Sequence, residues 1–512
     1  MQNQQFRFLS FKEWVPDGLR FWIYLLFLAC FQFSNGMYFS AMGQMSGGLS
    51  ITMNDVRMMS AAMFAGLTMY FPLAFRLKMC FTNRTGLMCA AAGLAFCNLC
   101  APHINNPLLF VLLCFAAGFL RLWGTFECLS SILPKIAPTF NYAVFLSFVF
   151  FVVLGVVHLF DLAGAYLIYY YPWQYLHYLA IILMGAVLLG TFLLMRPYRQ
   201  MPKLPLLGVD WLGLILWSIF ILALIFAAEY GNQLDWLNSP KIRIALGAAC
   251  ISLGFNIARI AYFRHPFLDL PAFKTRNLLN LLVLFALLSI LLSGKTILQN
   301  AFISLLPFGT LNTANLNFFE FLGALPAAVF CWFAITKIKL PFKLLTFLGM
   351  LFVIFYSLIM FFLISPDLKI ESLYLPLMCY GFGHVTVFIT LTVYAQATAP
   401  FKNYFQVLCI LGLIRTGIGS PAGEALFSRA LQGVMTTNLA SVEVLEKSLN
   451  ANFRMIYEQA LLAGVRELFG WTVIFGVFVL ILICFAHFKG KIKRILPSLK
   501  AVYKAVRKEA QS

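Results

Sequence analysis

Long apolar runs recur along the whole 512-residue chain, and they constrain its fold more than any other feature. Each run approaches the ~20 residues that a helix needs to cross a bilayer. Composition agrees: 62% of the residues are apolar and 11% are charged, against about 45–50% and about 25% in soluble domains. Lipid leaves backbone polar groups unsatisfied unless the spans are helices or a closed barrel. Because the runs lack the alternation of barrel strands, we predict an all-α polytopic membrane protein.

The boundaries between apolar runs and polar breaks predict fourteen transmembrane helices. Their approximate limits are 21–43, 55–76, 86–102, 107–132, 140–168, 173–196, 209–230, 241–262, 277–305, 314–336, 343–364, 373–398, 404–430 and 469–488. An even number of spans places both chain ends on the same side of the membrane.

Basic residues outnumber acidic ones by 37 to 18, which gives a formal net charge of +19. Most of them fall in the segments that alternate spans place on one side, such as Arg76, Lys78 and Arg84 after the second span. Basic loops stay in the cytoplasm, so both termini are predicted to be cytoplasmic, with the chain in the cell inner (plasma) membrane. Since the charge orients helices in this way, it does not indicate a nucleic-acid partner.

A weak internal repeat divides the chain into two halves. Pro72-Leu-Ala74 ends the second span and Pro326-Ala-Ala328 lies near the end of the tenth, and basic residues follow each. The predicted units are a cytoplasmic N-terminus at 1–20, a six-helix bundle at 21–196, two inserted helices at 209–262, a second six-helix bundle at 277–488 and a basic cytoplasmic tail at 489–512. Repeated halves around a midplane site are typical of secondary transporters.

Two polar segments interrupt the apolar pattern. Residues 431–468 are predicted to be a long outer loop that holds one or two short amphipathic helices. The tail at 489–512 has a similar but basic pattern, which fits either a helix on the anionic inner leaflet or a disordered tail.

The middle of the chain carries the most specific motifs. Asp210-Trp-Leu-Gly213 opens the seventh span, and these motifs follow it: Leu234-Asp-Trp-Leu-Asn-Ser-Pro240, Arg264-His-Pro-Phe-Leu-Asp-Leu270 and Phe273-Lys-Thr-Arg-Asn277. Trp173, Gly381-Phe-Gly383 and Arg415 with Gly417 and Gly419 add to the series. The series resembles the 14-helix drug:proton antiporter branch of the major facilitator superfamily. That resemblance implies two six-helix bundles joined by two extra helices, and export of amphipathic compounds in exchange for protons.

The chain departs from that family at its charged positions. Arg84 matches the loop between the second and third spans, but Met79 stands where the family has an aspartate. The family's arginine early in the fourth span falls near Cys114, and Ser34 and Asn35 replace an acidic residue of the first span. The usual proton-coupling groups of the family are therefore not implied for this chain.

Ionisable residues nevertheless occur within the predicted spans. They are Arg121, Glu127, His158, Asp161, Lys295, Glu320, His384 and Arg415. A charge at mid-membrane costs about 2.5–3.5 kcal/mol, so the six charged members would cost on the order of 15–20 kcal/mol if unpaired. That exceeds the usual folding margin of about 5–15 kcal/mol. We therefore predict that these side chains are paired or face a hydrated cavity within the bundle.

Proton coupling is predicted for the acidic members and one histidine. His158 and Asp161 are three residues apart and share a helix face, so they form either a proton-loading pair or a structural pair. Glu320 and Lys295 lie at similar depths, so they form either an exchangeable pair or a fixed salt bridge. Glu127 lies nearer the cytoplasm.

The remaining candidates are predicted either to line the substrate cavity or to make structural contacts between helices. Glu127 could pair with Arg84 or Lys135, as a gate or as a fixed contact. Arg121 is predicted to face the cavity and an anionic substrate. The open alternatives are close helix packing for Arg415 and a satisfied core position for His384.

These observations predict a secondary active transporter that exports amphipathic organic compounds in exchange for protons. It is not predicted to be an enzyme, and no cofactor or metal is expected; its partners are lipid, protons and a small-molecule substrate. The first alternative is a transporter of one anionic metabolite or lipid-like compound, because Arg121, Lys295 and Arg415 make the cavity basic. The others are a sensor and an intramembrane enzyme that uses His158 or His384, although the sequence has no H-E-x-x-H pattern or nucleophile elbow.

Overall fold

The computed structural model describes residues 9–36, 38–138, 142–199, 203, 209–263, 266–268, 276–303, 310–366, 368–399, 404–443 and 453–486. Over these ranges the chain is helical and forms no strand. Thirteen helices are long and apolar enough to cross a membrane, and the first helix, with 17 residues, is slightly shorter. The prediction of an all-α polytopic membrane protein is confirmed.

Seventeen α-helices make up the described chain. The first half contains α1 (Asp17–Phe33), α2 (Met42–Leu49), α3 (Met53–Met69), α4 (Ala74–Cys80), α5 (Asn83–Cys100), α6 (Pro107–Ile136), α7 (Tyr142–Tyr170) and α8 (Gln174–Leu194). The two inserted helices are α9 (Trp211–Gly231) and α10 (Pro240–Tyr262). The second half contains α11 (Arg276–Ile303), α12 (Thr310–Phe333), α13 (Phe342–Leu363), α14 (Tyr374–Thr398), α15 (Tyr404–Gly412), α16 (Ser420–Glu443) and α17 (Phe453–Phe485).

The first predicted span does not run to residue 43. Helix α1 ends at Phe33, and the chain turns before α2 begins at Met42. Ser34, Asn35 and Gly36 supply the break, since short polar side chains and glycine favour helix ends. A Cβ on Gly36 would lie 3.1 Å from the Cα of Cys114, so glycine lets the turn approach α6 this closely without a tight contact.

The predicted outer loop at 431–468 is largely helical. Residues up to Glu443 continue α16, and residues from Phe453 belong to α17, so these segments extend the membrane helices instead of forming separate short ones. The sequence supports this, because no proline interrupts residues 431–468. The predicted tail at 489–512 lies outside the described residues.

Buried apolar side chains form two large clusters, one mainly from the helices before residue 263 and one from those after 276. The inserted helix α9 contributes Ile221 and Ile225 to the first cluster. Helix α7 bridges the halves, since Leu146, Phe150 and Leu154 pack against the second cluster. The predicted architecture of two bundles with two inserted helices is confirmed.

Glycines bring two helices of each half into backbone contact. In the first half, a Cβ on Gly66 of α3 would overlap the carbonyl oxygen of Phe115 on α6, and a Cβ on Gly118 would overlap that of Met63. Each glycine follows the contacted carbonyl of its own helix by three residues. The two helices therefore cross at a reciprocal pair of glycines.

The second half repeats this crossing with the same spacing. Gly323 of α12 meets the carbonyl of Met378 on α14, and Gly381 meets the carbonyl of Glu320. This register confirms the internal repeat but corrects its alignment. If Gly66 matches Gly323, Pro72 matches residue 329, three residues beyond Pro326.

The motif that opens the seventh span closes the inserted hairpin. Asp210 caps α9 by accepting a hydrogen bond from the Gly213 N–H at 2.8 Å. Its second oxygen accepts from the Phe267 N–H at 3.2 Å, and Arg259 near the end of α10 donates to the carboxylate at 2.5 Å. One buried carboxylate thus ties the start of α9 to the end of α10.

We expect Asp210→Ala to lower the free energy of unfolding by about 2–4 kcal/mol, because it leaves a partly buried guanidinium without its counter-ion and removes a helix cap. Asp210→Asn keeps an amide oxygen for the cap and should lose less. Thermal unfolding of the purified protein measures both. Equal unfolding temperatures for the alanine variant and the wild type would contradict the role of Asp210 as a clamp.

Candidate functional site

The two halves meet along α7 and α12, where predicted site residues face each other. Asp161 of α7 accepts a hydrogen bond from the Asn317 side chain of α12 at 3.2 Å. One turn away, the His158 ring stacks on Phe321 with 5.8 Å between ring centroids. These contacts place the predicted proton-loading face of α7 against the second half, not against lipid.

Lys295 of α11 forms an ion pair with Glu320 of α12. Glu320 is buried, and Lys295 is nearly so. The Lys295 ammonium also lies over the ring of Tyr380 at 4.9 Å from its centroid. It borders a small cavity inside the second half, with Tyr356 and Thr472 among the lining residues. The sequence prediction that Lys295 and Glu320 meet is therefore correct.

His384 and Arg415 extend the same cluster. The Arg415 guanidinium lies over Phe388 at 4.2 Å from the ring centroid, and the His384 ring meets Phe388 edge-on at 4.7 Å. Arg415 lies in the π-helical segment Leu413–Gly419, which interrupts the thirteenth span; such segments often occur at functional sites. Arg415 is exposed, although it lies in mid-span among other charges.

Six of the eight predicted residues therefore form one electrostatic cluster. His158 interacts with Glu320, Lys295 and Asp161, and His384 interacts with Arg415, Glu320, Lys295 and His158. We call these six residues the interface cluster. It draws its members from both halves, so its interactions change if the halves move relative to each other.

Arg121 lies apart from the interface cluster, on α6 of the first half. Its guanidinium donates to the Asn35 side chain at 2.5 Å and to the Gln32 side chain at 2.6 Å. Gln32 in turn donates to Thr125 at 2.7 Å. Across the described ranges, Arg121 makes no ion pair with a carboxylate. The cation is held by neutral amides from the end of the first span.

Glu127 pairs with Lys78 of α4, and both side chains are buried. The predicted pairing with Arg84 or Lys135 is therefore wrong. Arg84 instead donates to the Phe192 carbonyl at 3.3 Å, and the Lys135 ammonium lies over the Phe21 ring at 4.5 Å. The second span continues through a short turn into α4, so Lys78 lies on a helix and not in a loop.

A second contact between the halves is aromatic. The Phe405 ring of α15 lies 4.5 Å from Phe75 and 5.6 Å from Phe126, measured between centroids. Phe71 lies farther, at 6.5 Å. Only the packing reveals this contact, which joins α4, α6 and α15.

Uncharged polar residues within the spans also form buried contacts, and the sequence predictions above do not include them. Tyr38 donates to the Asn98 side chain at 3.0 Å, and Asn98 also contacts Ser34 and His177. The Asn98 amide within an apolar run could have indicated such a network, because buried amides require hydrogen-bond partners.

The inserted helix α9 contacts both halves near its end. Tyr230 donates to Asp55 of α3, Asn54 donates to Gln233 at 2.9 Å, and Asn232 donates to the carbonyl of Ala425 on α16 at 3.1 Å. The hairpin is thus attached to both halves at this point. The sequence does not indicate which helices the hairpin would contact.

No group of three or more metal-ligating side chains occurs in the part of the chain that is described. Cys97 and Cys100 are free thiols near the end of α5.

Solved structures with similar folds are membrane transporters. The human organic anion transporter MFSD10 (TETRAN) superposes with a TM-score of 0.55 and 12% identity, covering 92% of this chain and 100% of that one. A peptide transporter POT in complex with sulfate gives 0.59 and 15%, covering 94% and 96%. A POT family transporter in complex with 5-aminolevulinic acid gives 0.57 and 13%, covering 91% and 96%. No protein-family profile and no curated protein sequence matches the chain. At these identities the shared feature is the fold.

Proposed function

We propose that the protein is a proton-coupled secondary transporter that exports amphipathic organic compounds by alternating access. The interface cluster supports this most directly, because it places titratable groups where the two halves separate. A contact such as Asp161 with Asn317 must break when the halves move apart. Protonation of the carboxylate would weaken its interactions there and bias that movement.

Asp161, Glu320 and His158 are the proposed proton carriers within the interface cluster. One proton entering down a 100 mV potential supplies about 2.3 kcal/mol, which sustains a substrate gradient of roughly fifty-fold. Glu127 is a weaker candidate for the same role, since it and Lys78 both belong to the first half. Both termini are proposed to be cytoplasmic, in the plasma membrane.

The substrate is proposed to be neutral or anionic. Arg121 and Arg415 make no ion pair with carboxylates of the described chain, whereas a site for organic cations needs an excess of acidic groups. This observation favours the alternative of an anionic metabolite or lipid-like compound over a broad exporter of cations. Ethidium export by cells that produce the protein would instead favour a broad exporter of cations.

We expect Asp161→Asn to reduce proton-driven accumulation of a transported compound by at least about tenfold, because the roughly fifty-fold gradient that one proton supports at a potential of about 100 mV is lost. Exchange of labelled compound at equal pH on both sides should persist, since it needs no net proton transfer. Proteoliposomes with an internal pH-sensitive dye measure both processes.

Asp235→Asn is the matched control, because Asp235 is exposed and lies in a left-handed turn that asparagine also tolerates. Its transport should equal that of the wild type. If Asp161→Asn and Glu320→Gln both accumulate substrate normally under a pH gradient, the proposed coupling fails.

A further inference from the structure

We infer that Arg121, with Gln32 and Asn35, forms the binding site for the acidic group of an amphipathic organic anion. This inference rests on the proposed transport function and specifies its substrate class. It stands on three observations: the burial of an unneutralised cation, a break in the first span beside it, and a hydrogen-bond network that holds this break.

The Arg121 side chain is 6% exposed. Its two terminal nitrogens donate to neutral amide oxygens, and its Nε has no hydrogen-bond partner. The nearest carboxylate along α6, Glu127, is paired with Lys78 instead. A buried guanidinium without a counter-ion is strongly unfavourable in a membrane protein. An anion that enters from outside would supply the missing charge.

The break in the first span positions the amide partners. Helix α1 ends at Phe33, so Gln32 lies on its last turn and Asn35 on the turn that follows. Gly36 lets this turn pack directly against α6, which carries Arg121. Interrupted membrane helices form substrate sites in many transporters because their polar groups are free to bind ligands.

A buried network holds the turn in place. Tyr38 donates to Asn98 at 3.0 Å, and Asn98 donates to Ser34 at 3.1 Å. The His177 ring contacts the same Asn98 oxygen at 3.0 Å. These side chains fix both ends of the turn that carries Asn35. They act as positioning residues, and Arg121 is the residue proposed to contact the ligand.

The donor set identifies the ligand chemistry. A guanidinium presents a planar fork of N–H groups that matches carboxylate, sulfonate or phosphate oxygens. A soluble organic acid and an anionic lipid headgroup share this chemistry. We assign the site to the soluble acid, because Arg121 is buried deep in α6, fourteen or more residues from either end of that helix.

The test uses three probes with one ring system and different charge: 2-naphthoate, 2-naphthamide and 2-naphthylmethylammonium. Thermal unfolding of the purified full chain in neutral detergent is followed as each is titrated, since bound ligand raises the unfolding temperature by mass action. We expect 2-naphthoate to stabilise the wild type and the ammonium probe to have no effect. In Arg121→Gln the affinity for 2-naphthoate should fall by at least about tenfold, the value of one charge-assisted hydrogen bond.

The unliganded Arg121→Gln variant should unfold at a higher temperature than the unliganded wild type, because it no longer buries an uncompensated charge. This readout holds whichever acid is the natural substrate. Arg243→Gln is the control, because Arg243 is exposed on α10 and its loss should alter neither measurement.

Stabilisation of the wild type only by the neutral or ammonium probe, or by none of the three, overturns the inference. So does an Arg121→Gln variant that binds 2-naphthoate like the wild type. Stabilisation only by phosphatidylglycerol added to the detergent would replace the soluble acid with a lipid headgroup and also overturn it. Transport is tested apart, in proteoliposomes. Movement of the amide without binding of the acid defeats this inference alone, and binding of 2-naphthoate at Arg121 without any transport defeats the proposed function alone.

Discussion

Glu320→Gln is expected to abolish pH-driven transport, with a loss of about 100-fold or more. The substitution leaves the Lys295 ammonium without its partner in a largely buried site. Breaking a buried pair on one side costs about 3–5 kcal/mol of stability, and the glutamine has no proton to exchange in place of the carboxyl. The interface cluster should then rearrange, because His158 and His384 both interact with the lost charge.

The double variant Lys295→Met/Glu320→Gln separates a coupling role from a structural one. Removing both charges restores electrical balance, so its unfolding temperature should return toward that of the wild type. Transport driven by a pH gradient should stay absent, because no titratable group replaces Glu320. Glu371→Gln, at an exposed site outside the interface cluster, is the control. It should change neither the unfolding temperature nor transport. Recovery of transport in the double variant would make the pair a plain salt bridge.

The Lys295–Glu320 pair could be predicted from sequence because depth along a helix can be counted. Residues at similar depth on consecutive antiparallel helices are the most probable partners for buried charges. The same counting failed for Glu127, whose partner Lys78 was assigned to a loop. That stretch is in fact the helix α4, which continues the second span after a short turn. Hydropathy marks where a span ends but not where a helix continues.

The partners of Arg121 could not be predicted in the same way. Gln32 and Asn35 are neutral, and they reach α6 only because the first span breaks at Ser34. The sequence reads as one apolar run to residue 43, since the break involves few polar residues. The contact of α9 with α3 and α16 was equally hidden, because which neighbours an inserted helix packs against is decided by the tertiary fold.

The internal repeat was visible in the sequence but misaligned by three residues. Proline marks a helix end approximately, whereas glycine is required wherever two backbones touch. The corrected register equates Arg121 with His384, since each follows its crossing glycine by three residues. Both halves therefore present a nitrogen-bearing side chain at the same position of their crossed helices.

Because backbones touch at the crossing glycines, we expect the free energy of unfolding to respond strongly to substitutions there. We expect Gly323→Ala to lower the free energy of unfolding by about 3 kcal/mol or more, because its Cβ would overlap the carbonyl oxygen of Met378 and the two backbones must separate. Gly66→Ala should have the same effect in the first half. Thermal unfolding in detergent and the yield of monodisperse protein measure both.

Gly185→Ala is the matched control, since a Cβ there meets nothing within 4 Å and alanine favours a helix by up to about 1 kcal/mol.

The crossing of α12 and α14 also positions the Lys295–Glu320 pair, because Gly381 touches the carbonyl of Glu320 itself. Gly381→Ala should therefore shift Glu320 away from Lys295 and impair transport in any protein that still folds. Unfolding temperatures for Gly323→Ala and Gly66→Ala as high as that of Gly185→Ala would show that the helices do not cross in backbone contact, and the equivalence of Arg121 with His384 would lose its basis.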